Sequence, residues 1–388
     1  MKRISILLMA TATSFAGCSA DPSTGTGGDD APGDDTPGGP TDEWDQELAK
    51  REYDYNAALR IAALRLTGDL PSMDEILTVA NAPDLPAKKA AYEGLLTGYM
   101  SRPAFARQMF FFWRDTFKMG ETAELDTAPA LAAKISVENL SYMDLFTQAT
   151  GNCPTFDAAT GVFTAADCAG AGPKAGVLTN QGAMKHFFGN FAFRRVKWIQ
   201  ESFDCAKFPV ELDGDPQEVG GPSPYTGKWP FASIAGTNNG GRVNFLDVSS
   251  VICANCHQTL NHVAPLFANF DENGAFQNAV AVPTPLDGAP MARLTDYLPA
   301  GETTAWRFGV PAADIPALGA AMAADADVAK CGVARVWNWA MGKTDIVDTL
   351  QDVPAETIQA QVDTFTASGF KMKDLIYAVY TADDFVKF

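Results

Sequence analysis

Apolar residues recur every three or four positions over much of the chain, which is the period of a helix that buries one face. The first such run ends at Gly68, with Pro71 beyond it, as helices usually end. Ser72 and Glu75 then form the sequence signature of a capping box, so another helix is predicted to begin there. The apolar positions of the first run are Leu48, Tyr55, Leu59, Ala62, Ala63 and Leu66. Further helices are predicted over 87–100, 103–117, 180–203 and about 314–388.

Alternating patterns typical of strands are scarce. One small hairpin is predicted between Cys153 and Cys168, and residues 208–242 are rich in Gly and Pro and predict a long irregular segment. The helix over 103–117 carries an aromatic stripe, which is more typical of a core than of a cofactor site. The fold class is therefore expected to be mainly α, with multi-helix bundle regions and long irregular loops.

The start of the chain has the features of an exported lipoprotein. Lys2 and Arg3 precede a short apolar run, and small residues follow it just before Cys18. This pattern predicts a signal peptide over 1–17 and lipidation of Cys18, because the apolar run is too short to cross a bilayer. A plain cleaved signal is the alternative. Ser19 follows Cys18 where an aspartate would favour inner-membrane retention, so the outer membrane or the cell surface is expected.

Composition divides the rest of the chain. Residues 18–41 are mostly Gly, Asp, Pro and Thr and predict a disordered tether. The folded part is expected to comprise an N-terminal helical domain over 42–150, a middle domain over 151–300 and a C-terminal helical domain over 301–388. The formal net charge of −18 argues against binding nucleic acid or an anionic membrane through surface charge. Membrane contact is therefore expected through the N-terminal lipid only.

The pentapeptide from Cys253 to His257, Cys-Ala-Asn-Cys-His, is the attachment signature of a c-type haem. Cys253 and Cys256 are spaced to bond the two vinyl groups of the porphyrin, and His257 is placed to ligate the iron. A disulfide or a zinc site is the alternative, but the whole chain holds three histidines. The middle domain is thus expected to contain a mono-haem, cytochrome c-like segment with one covalent haem c. His262 is expected to be a surface or capping histidine.

The second axial ligand of the iron is left open by the sequence. Met291, in a loop well after the motif, is the leading candidate and His186 is the second, with another methionine or an open position as the alternatives. A six-coordinate haem predicts electron transfer to an unidentified redox partner protein in the envelope. An open iron site predicts instead a haem-dependent oxidoreductase or peroxidase-like enzyme. A third possibility is a surface binding component of a polymer-uptake system.

Four further cysteines are expected to form disulfides, since exported proteins occupy an oxidising compartment. Cys153, Cys168, Cys205 and Cys331 allow three pairings. Cys153 with Cys168 is favoured because the stretch between them can turn back on itself, and Cys205 with Cys331 then follows. Four buried free thiols are the alternative.

Several stretches, in order, resemble one family, the planctomycete-type exported cytochromes, in which consecutive domains of unknown function surround a single haem motif. The stretches are LRLTGDLPSMDEI from Leu64, SRPAFARQMFFFW from Ser101, GVLT from Gly176, RVKW from Arg195 with Cys205, CANCHQTLNHVAPLFANFDENGAF from Cys253, and Cys331 with NWAMGK and SGFKMKDLIYAVYTADDF. Where the family usually has Asp-Pro, this chain has Asn261 and His262. The resemblance implies haem binding and electron transfer at the cell surface or in the periplasm, and it implies no substrate.

Overall fold

The structure is a computed structural model. It describes residues 43–207, 235–239, 242–247, 251–284, 291–298, 301–307, 309–342 and 353–388. For residues 235–258 in these ranges only the backbone is described. The predicted signal peptide, Cys18 and the tether lie outside these residues, as does the stretch 208–234.

The described part of the chain is mainly helical, as predicted, with fifteen α-helices and three two-stranded antiparallel hairpins. The helices are α1 Glu43–Leu48, α2 Tyr55–Thr67, α3 Met73–Ala80, α4 Leu85–Tyr99, α5 Pro103–Phe117, α6 Thr127–Val137, α7 Asp144–Thr147, α8 Gln181–His186, α9 Phe193–Phe203, α10 Val251–Phe267, α11 Ile315–Ala323, α12 Ala326–Ala340, α13 Ala355–Ala367, α14 Met372–Thr381 and α15 Asp383–Val386. The strands are β1 Thr155–Asp157, β2 Val162–Thr164, β3 Ala235–Asn239, β4 Arg242–Asp247, β5 Ala305–Arg307 and β6 Val310–Pro311. Helix α1 belongs to a unit that ends at Arg51, and residues 52–388 form a second unit, which contains every feature discussed below.

Local capping sets the boundaries of the first helices. The side chain of Asp54 accepts hydrogen bonds from the first turn of α2, so this helix begins at Tyr55 and does not continue back to Leu48. It ends at Gly68, whose φ of 79° is a left-handed conformation that glycine adopts without strain. The predicted capping box is confirmed, because the Ser72 and Glu75 side chains each accept from the other's backbone N–H.

The aromatic stripe of α5 is core. Phe105, Phe110, Phe112, Trp113 and Phe117 are buried. The indole N–H of Trp113 donates to the Ser136 hydroxyl at 2.9 Å, so its one polar atom is satisfied. Phe111 is 40% exposed, because it lies on the opposite face of the helix.

Both predicted disulfides form in the structure. Cys153 bonds Cys168 across a sequence separation of 15, and Cys205 bonds Cys331 across 126. The first bond closes a loop that contains the predicted hairpin, β1 with β2, in which Phe156 pairs with Phe163 and their rings stack.

The predicted continuous helix over 180–203 is wrong. The chain breaks between α8 and α9, where Gly189 is extended and Phe191 and Ala192 have φ of 54° and 59°. The break buries aromatic rings that one straight helix would point in different directions. Phe187 stacks on Trp198 with ring centroids 5.0 Å apart, and Phe191 is fully buried. Aromatic burial therefore outweighs the cost of two left-handed residues.

Two further hairpins differ from the prediction. Strands β3 and β4 pair within and just after the segment expected to be irregular, and β5 pairs with β6 near the start of the C-terminal helices. These strands are short and isolated, so the sequence offers little alternation from which to predict them. Strand β5 matters for function because it packs on α10.

Candidate functional site

The predicted haem-attachment residues lie in the first two turns of α10. Cys253, Cys256 and His257 are all in helical backbone, and their side chains lie outside the described part of the structure. Helix α10 packs against α9, against β5 and against the short 3-10 helix Asn190–Ala192. The candidate site is therefore defined by what these neighbours place beside α10.

Arg195 holds the end of α10 that is farthest from the motif. Its guanidinium is fully buried and donates to the carbonyls of Met184 in α8, Phe267 at the end of α10, Phe270 and Asp271, at 2.6–3.0 Å. The cation thus lies near the carbonyl ends of two helices, where the helix dipole favours positive charge. Burial lowers the pKa of Arg195 to about 9, although the nearby charge of Asp271 opposes the shift.

Contacts at both ends of α9 relate it to α10. Arg195, near the start of α9, contacts Phe267, the last residue of α10. Just beyond the other end of α9, Asp204 binds Arg307 of β5, the strand that packs on α10. His257 is ten positions before Phe267, about 15 Å along the helix axis from the Arg195 contact.

His262 is buried, which corrects the prediction of a surface or capping histidine. Its side chain is 1% exposed, and its Nε2 lies 2.9 Å from a carboxylate oxygen of Glu302. Burial raises the pKa of the Glu302 carboxyl. The partner is 40 residues away in sequence, so no local pattern indicated it. The His262 imidazole therefore has a protein partner, the Glu302 carboxyl group.

Arg307 of β5 is surrounded by three carboxylates. Its nitrogens lie 2.7 Å from Asp204, 2.6 Å from Asp325 and 2.9 Å from Asp327. The indole N–H of Trp306 also donates to Asp325 at 2.7 Å. Asp204 is fully buried, and burial raises its pKa to about 7 because the loss of hydration outweighs the attraction of Arg307. The charges of Asp325 and Asp327 raise this pKa further.

This raised pKa predicts a pH dependence of stability. In the unfolded chain an aspartate has a pKa of about 3.9, so the folded protein binds this proton more tightly. The resulting stabilisation is complete below about pH 4 and is lost as the pH rises through 7. We expect wild type to lose about 2–3 kcal/mol more of its free energy of unfolding between pH 5 and 8 than Asp204→Asn does. Urea unfolding at both pH values measures the difference, with the exposed Asp363→Asn as the matched control. Parallel profiles for wild type and Asp204→Asn would contradict the expectation.

Two buried polar side chains beside α10 have no hydrogen-bond partner among the described residues. Gln200, on α9, is fully buried and neither its Nε2 nor its Oε1 is bonded. Tyr297 is also fully buried with its hydroxyl unbonded, and its ring meets those of Phe191 and Phe193 edge-on at 5.3 and 6.1 Å. The neighbours of α10 therefore include a cluster of three aromatic rings, those of Phe191, Phe193 and Tyr297, which is called the aromatic wall. They also include the unbonded polar atoms of Gln200 and Tyr297.

His186 lies at the end of α10 that is remote from the motif. It is the last residue of α8, two positions after Met184. The carbonyls of Met184 and of Phe267, the last residue of α10, both accept hydrogen bonds from the Arg195 guanidinium. Its Nε2 lies 3.1 Å from the carbonyl of Lys118. The imidazole lines an open groove of about 630 Å³ whose other lining residues are Phe111, Arg114, Asp115, Lys118, Met119, Gly120 and Glu121.

Met291 is 49% exposed and comes three residues before the 3-10 helix Leu294–Asp296. That helix lies against β4, the strand that ends at Asp247, four residues before α10 begins. Tyr297, which directly follows the same 3-10 helix, contacts Phe191 and Phe193.

The chain was compared with protein-family models, with curated proteins and with solved structures. None of them matches it. Membership of the planctomycete-type exported cytochromes therefore stays a prediction from the stretches quoted above.

The donor set of the motif fits a covalent haem, because Cys253 and Cys256 supply two thiols and His257 supplies an imidazole. The aromatic wall places apolar rings next to the 3-10 helix Asn190–Ala192, which packs on α10. Among the described residues, no cluster of three or more His, Cys, Asp or Glu side chains is suited to hold a metal ion. Within the same residues no helix has both the length and the hydropathy needed to cross a bilayer.

Proposed function

We propose that this protein is an exported, lipid-anchored, mono-haem c-type cytochrome that transfers electrons at the cell envelope. One observation carries the proposal. Of the three histidines in the chain, His186 and His262 each have Nε2 in contact with a protein oxygen, from Lys118 and Glu302 respectively. His257, within the attachment motif, is the histidine left for the iron.

The motif residues would hold the cofactor. Cys253 and Cys256 would each form a thioether with one vinyl group, and His257 would be the proximal iron ligand. When bound, haem c supplies a one-electron couple between ferric and ferrous iron. The aromatic wall excludes water from one side of α10, and Arg195 fixes the far end of that helix. Such a rigid, water-poor surrounding suits electron transfer, because little has to reorganise when the charge changes.

We propose Met291 as the distal ligand in preference to His186. His186 is tied, through the contacts around Arg195, to the end of α10 that is remote from the motif. Met291 is 49% exposed and comes just before a 3-10 helix that packs on β4, the strand preceding α10. In addition, the Nε2 atom of His186 already contacts the Lys118 carbonyl. A methionine in this position raises the reduction potential relative to a second histidine.

The location and the partner follow from the N-terminus and the charge. Lipidation of Cys18 would hold the protein at the outer membrane or cell surface, on a tether of about 23 residues. With a net charge of −18, the protein would attract a redox partner that presents a basic surface.

The test is to express the full chain in a bacterial host with cytochrome c maturation machinery and to record oxidised, reduced and carbon-monoxide spectra. We expect one covalently attached haem per chain, a low-spin ferric spectrum and no carbon-monoxide binding when reduced. Met291→Ala is expected to become high-spin and to bind carbon monoxide, because it opens the sixth position. His186→Ala, the matched control, is expected to keep the wild-type spectrum.

Each outcome of this experiment separates the alternatives. Cys253→Ser with Cys256→Ser should lose covalent haem completely, and wild type without covalent haem would overturn the proposal. A high-spin, carbon-monoxide-binding wild type would instead favour the haem enzyme with an open iron site. Cys18→Ala should release the protein from the membrane fraction, and unchanged retention there would contradict the lipid anchor.

A further inference from the structure

A series of tyrosine and tryptophan side chains in mutual contact leads from the protein surface into the core. Tyr53, which is 39% exposed, stacks on Tyr55 with ring centroids 5.9 Å apart. The Tyr55 ring lies 5.6 Å from that of Tyr92, whose hydroxyl donates to the backbone carbonyl of Tyr380 at 2.7 Å. The ring of Tyr380 meets that of Trp339 edge-on at 6.0 Å. These five residues are called the outer rings.

The series continues inward from Trp339 through α5 to α9. The Trp339 ring lies 5.4 Å from that of Phe112, which lies 5.2 Å from Trp113. Trp113 lies 5.2 Å from Phe117, and Phe117 lies 5.6 Å from Trp198. Trp198 belongs to α9, the helix that packs on α10. Ring contacts therefore connect the exposed Tyr53 with indoles deep in the core.

Packing alone does not account for the residue types in this series. Tyr380 is fully buried, and its hydroxyl has no hydrogen-bond partner among the described residues. A phenylalanine would fill nearly the same space without the penalty of an unbonded buried hydroxyl. Phenol and indole rings differ from phenylalanine in that they lose an electron readily. The outer rings are thus of the types that can carry a one-electron oxidation.

The surface end of the series offers a destination for the proton of an oxidised phenol. The hydroxyl of Tyr53 lies 3.1 and 3.2 Å from the two carboxylate oxygens of Asp383. A hydrogen bond from Lys387 lowers the pKa of the Asp383 carboxyl, so this group is ionised at neutral pH and can accept a proton. By contrast, the hydroxyl of Tyr92 faces a backbone carbonyl, which is not a base. An oxidised tyrosine is therefore most stable at Tyr53.

The backbone holds Tyr53 and its proton acceptor in a fixed relation. The N–H groups of the residues before and after Tyr53 donate to the carbonyls of Phe388 and Val386, at 3.0 and 2.9 Å. Asp383 is the first residue of α15, which ends at Val386. The short contact between the phenol and the carboxylate is thus built into the fold, as a proton transfer coupled to oxidation requires.

We infer that this series of rings carries oxidising equivalents from the protein interior to Tyr53, a function that does not rest on the presence of haem. A one-electron oxidising radical takes an electron from an indole, in the first instance Trp339, which is only partly buried. The indole regains an electron from Tyr53, with the three tyrosines between them as the bridge. Tyr53 passes its phenolic proton to Asp383 and becomes a neutral tyrosyl radical. The indoles of the core are thereby restored.

The test exposes the full chain to the azide radical, which oxidises indoles faster than phenols and is itself reduced to azide. Electron paramagnetic resonance spectra of frozen samples should show a tyrosyl radical in wild type, recognised by its narrowing when the tyrosine rings are deuterated. Tyr53→Phe should lose this signal and retain a tryptophanyl one. Trp339→Phe should also lose most of it, although Tyr53 is intact. Trp337→Phe, a buried tryptophan of the same helix outside the series, is the matched control and should keep the wild-type signal.

A second variant tests the proton step and decides the matter if Trp339→Phe fails to fold. Asp383→Asn, at the surface, is expected to slow formation of the tyrosyl radical by about a hundredfold, because a positioned proton acceptor contributes at least that much. Asp374→Asn, which removes another exposed carboxylate, should leave the rate unchanged. Wild type without a tyrosyl radical, Trp339→Phe with the wild-type signal, or Asp383→Asn with the wild-type rate would each overturn the inference. None of these results depends on whether haem is attached, so the proposed cytochrome function stands or falls separately.

Discussion

Replacement of Arg195 by methionine is expected to lower the free energy of unfolding by about 3–5 kcal/mol. The substitution removes the guanidinium donors that serve the carbonyls of Met184, Phe267, Phe270 and Asp271. The carbonyls of Phe267 and Asp271 each keep one backbone donor, from Phe270 and Gly274. It also removes the positive charge from the carbonyl ends of α8 and α10. Urea unfolding of the full chain measures the effect.

Two variants test whether the stability depends on the several donors of the Arg195 guanidinium or on its charge alone. Arg195→Lys keeps the charge but has three donors on one atom, so it is expected to recover only part of the lost stability. Arg194→Met changes the adjacent, exposed arginine, whose contact is a single hydrogen bond to the Phe188 carbonyl at 3.4 Å, and should cost less than about 1 kcal/mol. Equal losses for Arg194→Met and Arg195→Met would show that the buried network around Arg195 contributes little.

The features that the sequence predicted correctly are those that depend on neighbours in sequence. The capping box at Ser72 and Glu75 and the helix end at Gly68 follow from local backbone chemistry. The Cys153–Cys168 bond closes a loop short enough to predict from the residues between the two cysteines, and it left Cys205 to pair with Cys331.

The features that the sequence did not predict depend on partners far away in the chain. His262 is an ordinary histidine on a helix until Glu302 is placed beside it. Arg195 stands in a basic stretch that suggests a solvated face, yet three of its four partner carbonyls are 72–76 residues away, at or just beyond the end of α10. The break at Phe191 has the same origin, because the contacts that stabilise its left-handed backbone include the Tyr297 ring and the Pro283 carbonyl, both about 90–110 residues away.

The candidate site divides in the same way. The motif from Cys253 to His257 is a prediction from spacing alone, because covalent attachment requires that spacing. The residues that surround α10 could not be predicted in this way, since Arg195 and Asp204 are recognisable only by their burial and by their partners in other elements. The sequence therefore predicts a cofactor, and the structure adds the elements that pack around the helix carrying the motif.

Loss of the Cys205–Cys331 disulfide is expected to have the largest effect on stability of any change considered for this chain. The bond closes a loop of 126 residues, for which the chain-entropy model gives a stabilisation of about 5 kcal/mol. The loop contains the haem motif, Met291 and β5, so in the unfolded chain the bond restricts α10 together with the strand that packs on it. Replacing both cysteines by serine avoids a free thiol, and denaturant unfolding measures the loss.

The other disulfide provides the matched control. Cys153 and Cys168 close a loop of 15 residues, so Cys153→Ser with Cys168→Ser is expected to cost about 3 kcal/mol. Neither double variant removes Cys253 or Cys256, so under the proposed function both should still attach haem if they fold in the expression host. Because ligation of the iron by His257 and Met291 would cross-link the same long loop, the cost of losing Cys205–Cys331 should be larger in the haem-free chain than in the loaded protein. A cost no greater than that of the short loop, in the haem-free chain, would show that the long loop is already restricted before it folds.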